Sequence, residues 1–148
     1  MSLLRREERQ DLDYETMSPA EFGRGLCGLG LNLLCRDVVA TADFLRDVFG
    51  LRVPRVNPDF ALILHEDAVF QLHKDATFSA HPVLGLVPET PPRGGGLQIY
   101  LFGVDPDLSV ARAPVSAVIE APTDKPHGLR EATILSPEGY AFSPAVPA

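Results

Sequence analysis

One order of elements occurs twice in this sequence, and it constrains the fold more than any other feature. Residues 29–36 form an apolar run of strand length, followed by Asp37 in the position of a helix cap. Val38, Ala42, Leu45, Val48 and Phe49 then recur at helical spacing up to Gly50, which ends the helix. Residues 51–56, 60–65 and 69–74 read as three strands, the last two joined at Glu66-Asp67. The order returns after a Pro- and Gly-rich stretch. Residues 97–102 form a strand, Asp105-Pro106 opens a short helix to about residue 112, and residues 115–120 form a strand. A polar loop over 121–128 leads to a last hairpin, 129–135 and 140–143, through Ser136-Pro137-Glu138-Gly139.

The repeat has residue-level support. Asp37 and Asp105 stand 68 residues apart, and His65-Glu66-Asp67-Ala68-Val69-Phe70-Gln71 aligns with Pro137-Glu138-Gly139-Tyr140-Ala141-Phe142-Ser143 at an offset of 72. Two similar units with slightly different insertions account for both spacings. The chain therefore reads as an α+β fold of two tandem βαβββ units, 29–74 and 97–145, with 75–96 as loop and linker. Within 1–24, eight of the first sixteen residues are charged and no apolar period is sustained. That stretch is expected to be a flexible N-terminal extension with one helical turn at Ser18-Pro19-Ala20-Glu21, ahead of a domain spanning 25–148.

Composition narrows the partners. Thirteen Lys and Arg against twenty Asp and Glu give a net charge of −7. The one dense basic cluster, Arg5, Arg6 and Arg9, is interrupted by Glu7 and Glu8, so no nucleic-acid surface is expected. No run approaches the roughly 20 apolar residues of a membrane span. Cys27 and Cys35 make no CxxC pair, and the first residues lack a signal-peptide core, so a cytoplasmic protein with reduced thiols is expected. Four His and the twenty acids are enough to build a metal site, so their placement matters.

Two stretches carry a resemblance. The first is Leu31-Asn32-Leu33-Leu34-Cys35-Arg36-Asp37 with Ala42-Asp43-Phe44-Leu45-Arg46-Asp47-Val48-Phe49-Gly50-Leu51. The second is His127-Gly128-Leu129-Arg130-Glu131 with Ser136-Pro137-Glu138-Gly139-Tyr140. Together with the tandem βαβββ order they resemble the vicinal oxygen chelate superfamily of glyoxalases, extradiol dioxygenases and bleomycin-resistance proteins. The resemblance implies that the units curve a mixed sheet around a cleft, and that the protein is a homodimer. It also implies metal ligands, usually His and Glu, on the first and last strand of each unit. Those positions fall here on Gly30, Gln71, Gln98 and Ser143. Zn, Fe and Ni sites favour imidazole, thiolate or carboxylate, and four neutral groups leave a divalent charge uncompensated. No metal or other cofactor is therefore expected. His65 and His73, on neighbouring strands, are the alternative pair of metal ligands if the site is displaced.

Strand alternation then sorts the faces. Leu31, Leu33, Phe70, Leu72, Leu97, Ile99 and Leu101 form one apolar set, suited to packing under helices. The opposite set holds Asn32, Gln71, His73, Gln98, Tyr100, Phe102 and Ser143, amides and hydroxyls beside aromatic rings. A small-molecule pocket needs that mixture, apolar walls for burial and a few polar groups for orientation. His127 and Arg130 are added at its edge, the first as a candidate base, the second as a receiver of carboxylate or phosphate. The function expected is metal-independent binding of a small organic molecule. The alternatives are a metal-dependent lyase, isomerase or dioxygenase with a displaced site, and a non-catalytic interaction protein. Cys35, at the end of an apolar strand, is expected to be buried and inert.

Overall fold

The computed structural model describes residues 13–148. The elements are α1 (Pro19–Gly25), β1 (Asn32–Cys35), α2 (Val38–Phe49), β2 (Arg52–Asn57), β3 (Phe60–His65), β4 (Ala68–Lys74), β5 (Gln98–Phe102), α3 (Pro106–Arg112), β6 (Val118–Asp124), β7 (Leu129–Leu135) and β8 (Ala141–Pro147). They form two four-stranded mixed sheets of equivalent order, β1-β4-β3-β2 and β5-β8-β7-β6. In each sheet the first strand runs parallel to the last, and the rest is antiparallel. This is the expected α+β pair of βαβββ units. No helix among the described residues is long and apolar enough to cross a membrane.

Local chemistry places the helices. The Asp37 carboxylate accepts from the Ala40 N–H at 2.9 Å to start α2, and Gly50, at φ 71°, ends it in a left-handed conformation that glycine adopts without steric cost. Asp105 repeats the cap on α3, accepting from Asp107 and Leu108 N–H. Ser18 and Glu21 form a reciprocal capping box on α1, with Pro19 in the first turn.

Both helices of the repeat lie on the apolar faces of the sheets, and one core spans both units. Leu33, Phe70 and Leu72 of the first sheet and Ile99, Leu101, Ile134 and Phe142 of the second are buried in the same cluster with α2. Phe49 at the end of α2 meets Phe142 of β8 at 5.6 Å between ring centroids. Of the apolar set read from the sequence, Leu97 alone is exposed, at 42 %, because it precedes β5. Since the two helix-bearing faces share this core, the other face of each sheet points away from it.

The units also tie each other's ends. Tyr140, at the start of the second unit's last strand, donates to Leu34 O at 2.9 Å. His65, at the hairpin of the first unit, donates to Phe102 O at 2.8 Å. Leu34 and Phe102 are 68 residues apart, the spacing of the two helix caps, so the two ties meet equivalent carbonyls.

Several segments depart from expectation. The linker is not loose. It contains two 3-10 turns, Asp75–Phe78 and Pro82–Leu86, and Arg93 N donates to Glu138 O at 2.9 Å. Residues 121–124, expected in a loop, extend β6, because an edge strand tolerates Pro122. β8 runs past Pro144, although Pro144 brings no N–H. Its pairing with β7 lapses at Ser143 and Pro144 and resumes at Ala145 in the same register.

The N-terminal extension is the largest difference. Residues 1–12 lie outside the described residues, Arg5, Arg6 and Arg9 among them. From Asp13 onward the chain is packed: Tyr14 is 4 % exposed and forms a second cluster with Leu62 and Leu64, joined by Phe22, Phe60 and Val69. Tyr14 and Phe22 meet edge-on at 6.4 Å, and Arg55 Nη1 donates to Met17 O at 3.1 Å. Apolar side chains scattered among charges gave no local period, but together they cover the outer face of the first sheet.

Candidate functional site

The residues expected to line one cleft fall into two groups, one on the outer face of each sheet. On the first sheet, strand register sets Asn32 opposite Gln71 and Gln71 opposite Leu62. One residue pair along, His73 stands between Leu34 and Phe60. His73 Nδ1 donates to Asn32 Oδ1 at 2.6 Å, and its ring lies between those of Phe60 at 4.9 Å and Phe78 at 5.1 Å. Burial lowers the His73 pKa below its ordinary 6.5, which keeps the imidazole neutral and leaves Nε2 as an acceptor.

Two cavities lie over this face, both lined in part by the N-terminal segment. One, of about 560 Å³, is lined by Tyr14, Phe22, Arg55, Phe60, Gln71 and His73 among others. The second, of about 390 Å³, shares Tyr14, Phe22, Leu26 and Gln71 and extends toward Gly30 and Val69. The sequence missed Tyr14, Phe22 and Arg55. The available signal was the apolar spacing of Tyr14, Met17, Phe22 and Leu26 within a charged stretch.

The second sheet carries a polar network. Gln98 Nε2 donates to Ser143 Oγ at 2.8 Å, and the Ser143 and Thr133 hydroxyls share a bond at 3.0 Å, across the gap that Pro144 leaves in the ladder. Tyr100 donates to Glu131 Oε1 at 3.3 Å, and His127 Nε2 to Glu131 Oε2 at 3.2 Å. Desolvation and then the Glu131 charge raise the Tyr100 pKa. Lys125 pairs with Glu120 alongside. Tyr100 and Phe102 stack with ring centroids 5.0 Å apart, and Phe102 is 57 % exposed.

Arg130 is engaged elsewhere. It makes a two-bond pair with Asp107 at 2.8 and 2.8 Å and a further bond to Asp124 at 3.0 Å. It joins β7 to the first turn of α3, and these acids raise its pKa further. Cys35 is buried with its thiol pushed up to about 12, chiefly by desolvation. Tyr140 is likewise buried and pushed up to about 12.

The donors do not fit a transition metal. Gly30 has no side chain, and Gln98 and Ser143 are hydrogen-bonded to each other. Among the described residues no group of three or more His, Cys, Asp and Glu is placed to share an ion. The displaced pair is also not formed. His65 stands opposite Ala68 at one end of the β3–β4 hairpin, and His73 opposite Phe60 at the other.

No sequence-family model and no curated protein matches the chain, so the likeness to known proteins is one of fold. A glyoxalase/bleomycin resistance protein/dioxygenase family enzyme from Burkholderia phytofirmans PsJN superposes with a TM-score of 0.63 at 17 % identity, covering 80 % of this chain and 97 % of the other. A glyoxalase-related enzyme from Fulvimarina pelagi gives 0.64 at 16 %, over 81 % and 87 %. A lactoylglutathione lyase from Agrobacterium tumefaciens gives 0.57 at 18 %, over 81 % and 92 %. The chain has the glyoxalase-like fold of these proteins.

Proposed function

We propose that this protein binds a small organic molecule without a metal, on the outer face of the first sheet beneath the N-terminal segment. The observation that carries this reading is the cavity of about 560 Å³ lined by Tyr14, Phe22, Phe60, Gln71 and His73. Aromatic walls bury a ligand, and an amide and a neutral imidazole orient it. The donor chemistry at Gly30, Gln71, Gln98 and Ser143 supports a metal-free site, and so does the placement of His65 and His73 at opposite ends of the β3–β4 hairpin.

Thermal-shift screening of amphipathic aromatic compounds, with and without EDTA, tests this. A ligand held at about 100 times its dissociation constant adds roughly 2.7 kcal/mol of stability. The expected hit stabilises the protein equally in EDTA and loses its effect in Phe22→Ala. No stabilising compound, or one whose effect needs an added divalent ion, would overturn the proposal. A homodimer is proposed with it, the second copy covering the exposed Tyr100–Phe102 stack. Sedimentation equilibrium would read a mass of about twice 16.0 kDa.

A further inference from the structure

The cavity over the first sheet contains a cation with no acid paired to it among the described residues. Arg55, on β2, lines the cavity, donates Nη1 to Met17 O at 3.1 Å, and sits with its guanidinium carbon 5.9 Å from the centre of the Phe60 ring. These two contacts hold the guanidinium at the wall and use one of its five N–H groups. Among the described residues no carboxylate lies within ion-pair distance of it: Asp59 lines the same cavity but forms no pair. Arg93, with its side chain 2 % exposed, and Arg130, at 35 %, are by contrast matched. Arg93 has Asp75 and Glu138, and Arg130 has Asp107 and Asp124.

An aromatic-walled space with one unmatched, positioned guanidinium selects for a ring that carries an anion. We infer that the ligand is an aromatic carboxylate, its ring between Tyr14, Phe22 and Phe60 and its carboxylate on Arg55. Arg favours this role because its planar fork matches a carboxylate with two parallel hydrogen bonds. Gln71 and His73 line the same space, and a hydroxyl or amine substituent on the ring can bond to them. The inference deepens the proposed function and rests on it.

The test compares 2-naphthoate with 2-naphthamide, its neutral counterpart of nearly the same shape, by calorimetry. The acid is expected to bind the wild type at least about tenfold more tightly than the amide, the effect of one charged hydrogen-bonding pair. Arg55→Gln should reduce that preference to near parity, while Arg55→Lys keeps part of it. The amide's own affinity in Arg55→Gln verifies that the pocket is intact. If the amide binds the wild type as well as the acid does, the choice of an anion is overturned while a small-molecule site stands. If the acid keeps its preference in Arg55→Gln, Arg55 is not its partner and the inference fails. If neither compound binds but the screen finds a neutral ligand lost in Phe22→Ala, the inference alone fails. If neither compound binds and the screen finds nothing, both fail.

Discussion

The Glu138 carboxylate accepts from the Asp37 backbone N–H at 2.9 Å, with the Arg36 N–H on the same oxygen at 2.7 Å. A turn residue of the second unit thereby holds the chain of the first as it leaves β1 for α2. The other Glu138 oxygen faces Arg36 Nε at 3.3 Å and Arg93 Nε at 3.5 Å. That last contact is an ion pair without hydrogen-bond geometry, and Arg93 Nε has no hydrogen-bond partner. The Arg93 and Glu138 side chains are each 2 % exposed. Glu138→Ala takes the acceptor from two backbone N–H groups and leaves Arg93 with Asp75 alone, so it should cost about 2–4 kcal/mol in denaturant unfolding. Glu138→Gln keeps the shape and one acceptor oxygen and should cost less. Equal losses would mean that the charge, and not the shape or the remaining acceptor oxygen, carries the whole effect.

Gly139 offers a sharper test of packing. Its φ is 87°, and a Cβ there would stand 2.3 Å from Pro92 Cα. Gly139→Ala adds backbone strain to a clash that a flexible side chain cannot relieve, and should lower stability by more than about 2 kcal/mol. Gly95 has nothing within 4 Å of its notional Cβ, so Gly95→Ala should stay within about 0.5 kcal/mol of wild type. Denaturation midpoints of the pair would show whether the linker is docked on the last hairpin.

His73 sets a pH dependence. Burial lowers its folded pKa below 6.5, so between the two values the unfolded chain binds a proton that the folded chain resists. Stability from this residue is complete above about pH 6.5 and is lost as pH falls toward the folded pKa. Melting temperature should therefore drop more between pH 7 and pH 5 in wild type than in His73→Gln, which does not titrate. An NMR titration of the imidazole would locate the midpoint directly, and one above 6.5 would contradict the packing described.

The metal prediction is analytical. Protein dialysed after purification should carry well under one Zn, Fe or Ni per chain, and EDTA should leave its melting temperature unchanged. A stoichiometric metal that survives dialysis would reverse the proposed mode of binding.

Elements built on local signals were legible in the sequence. Asp37, Gly50 and Asp105 mark helix ends through their own backbone chemistry, and the hairpin of β3 and β4 follows from alternation. The site was legible only in halves. Asn32 with Gln71, and Gln98 with Ser143, were placed on common faces because strand period and the repeat fix them. Tyr14, Phe22 and Arg55 were not, because contact between an N-terminal segment and a sheet some forty residues away leaves no periodic trace. Glu138 in a hairpin turn and Arg93 in the linker carry no local signal of burial, and only the tertiary fold shows that they are buried together.

The paired carbonyls of Leu34 and Phe102 have a consequence for how such a chain can be taken apart. Each half ends the other's first strand, and neither has a complete interior of its own. A cut within the linker should therefore not release two independent proteins. It should leave two fragments that are sticky and poorly ordered alone, and that regain structure when mixed. The bond at Phe102 uses a histidine and the one at Leu34 a tyrosine, so duplicated halves can change the donor while keeping the acceptor. Divergence of chemistry on an unchanged backbone is then built into the way the halves recognise each other.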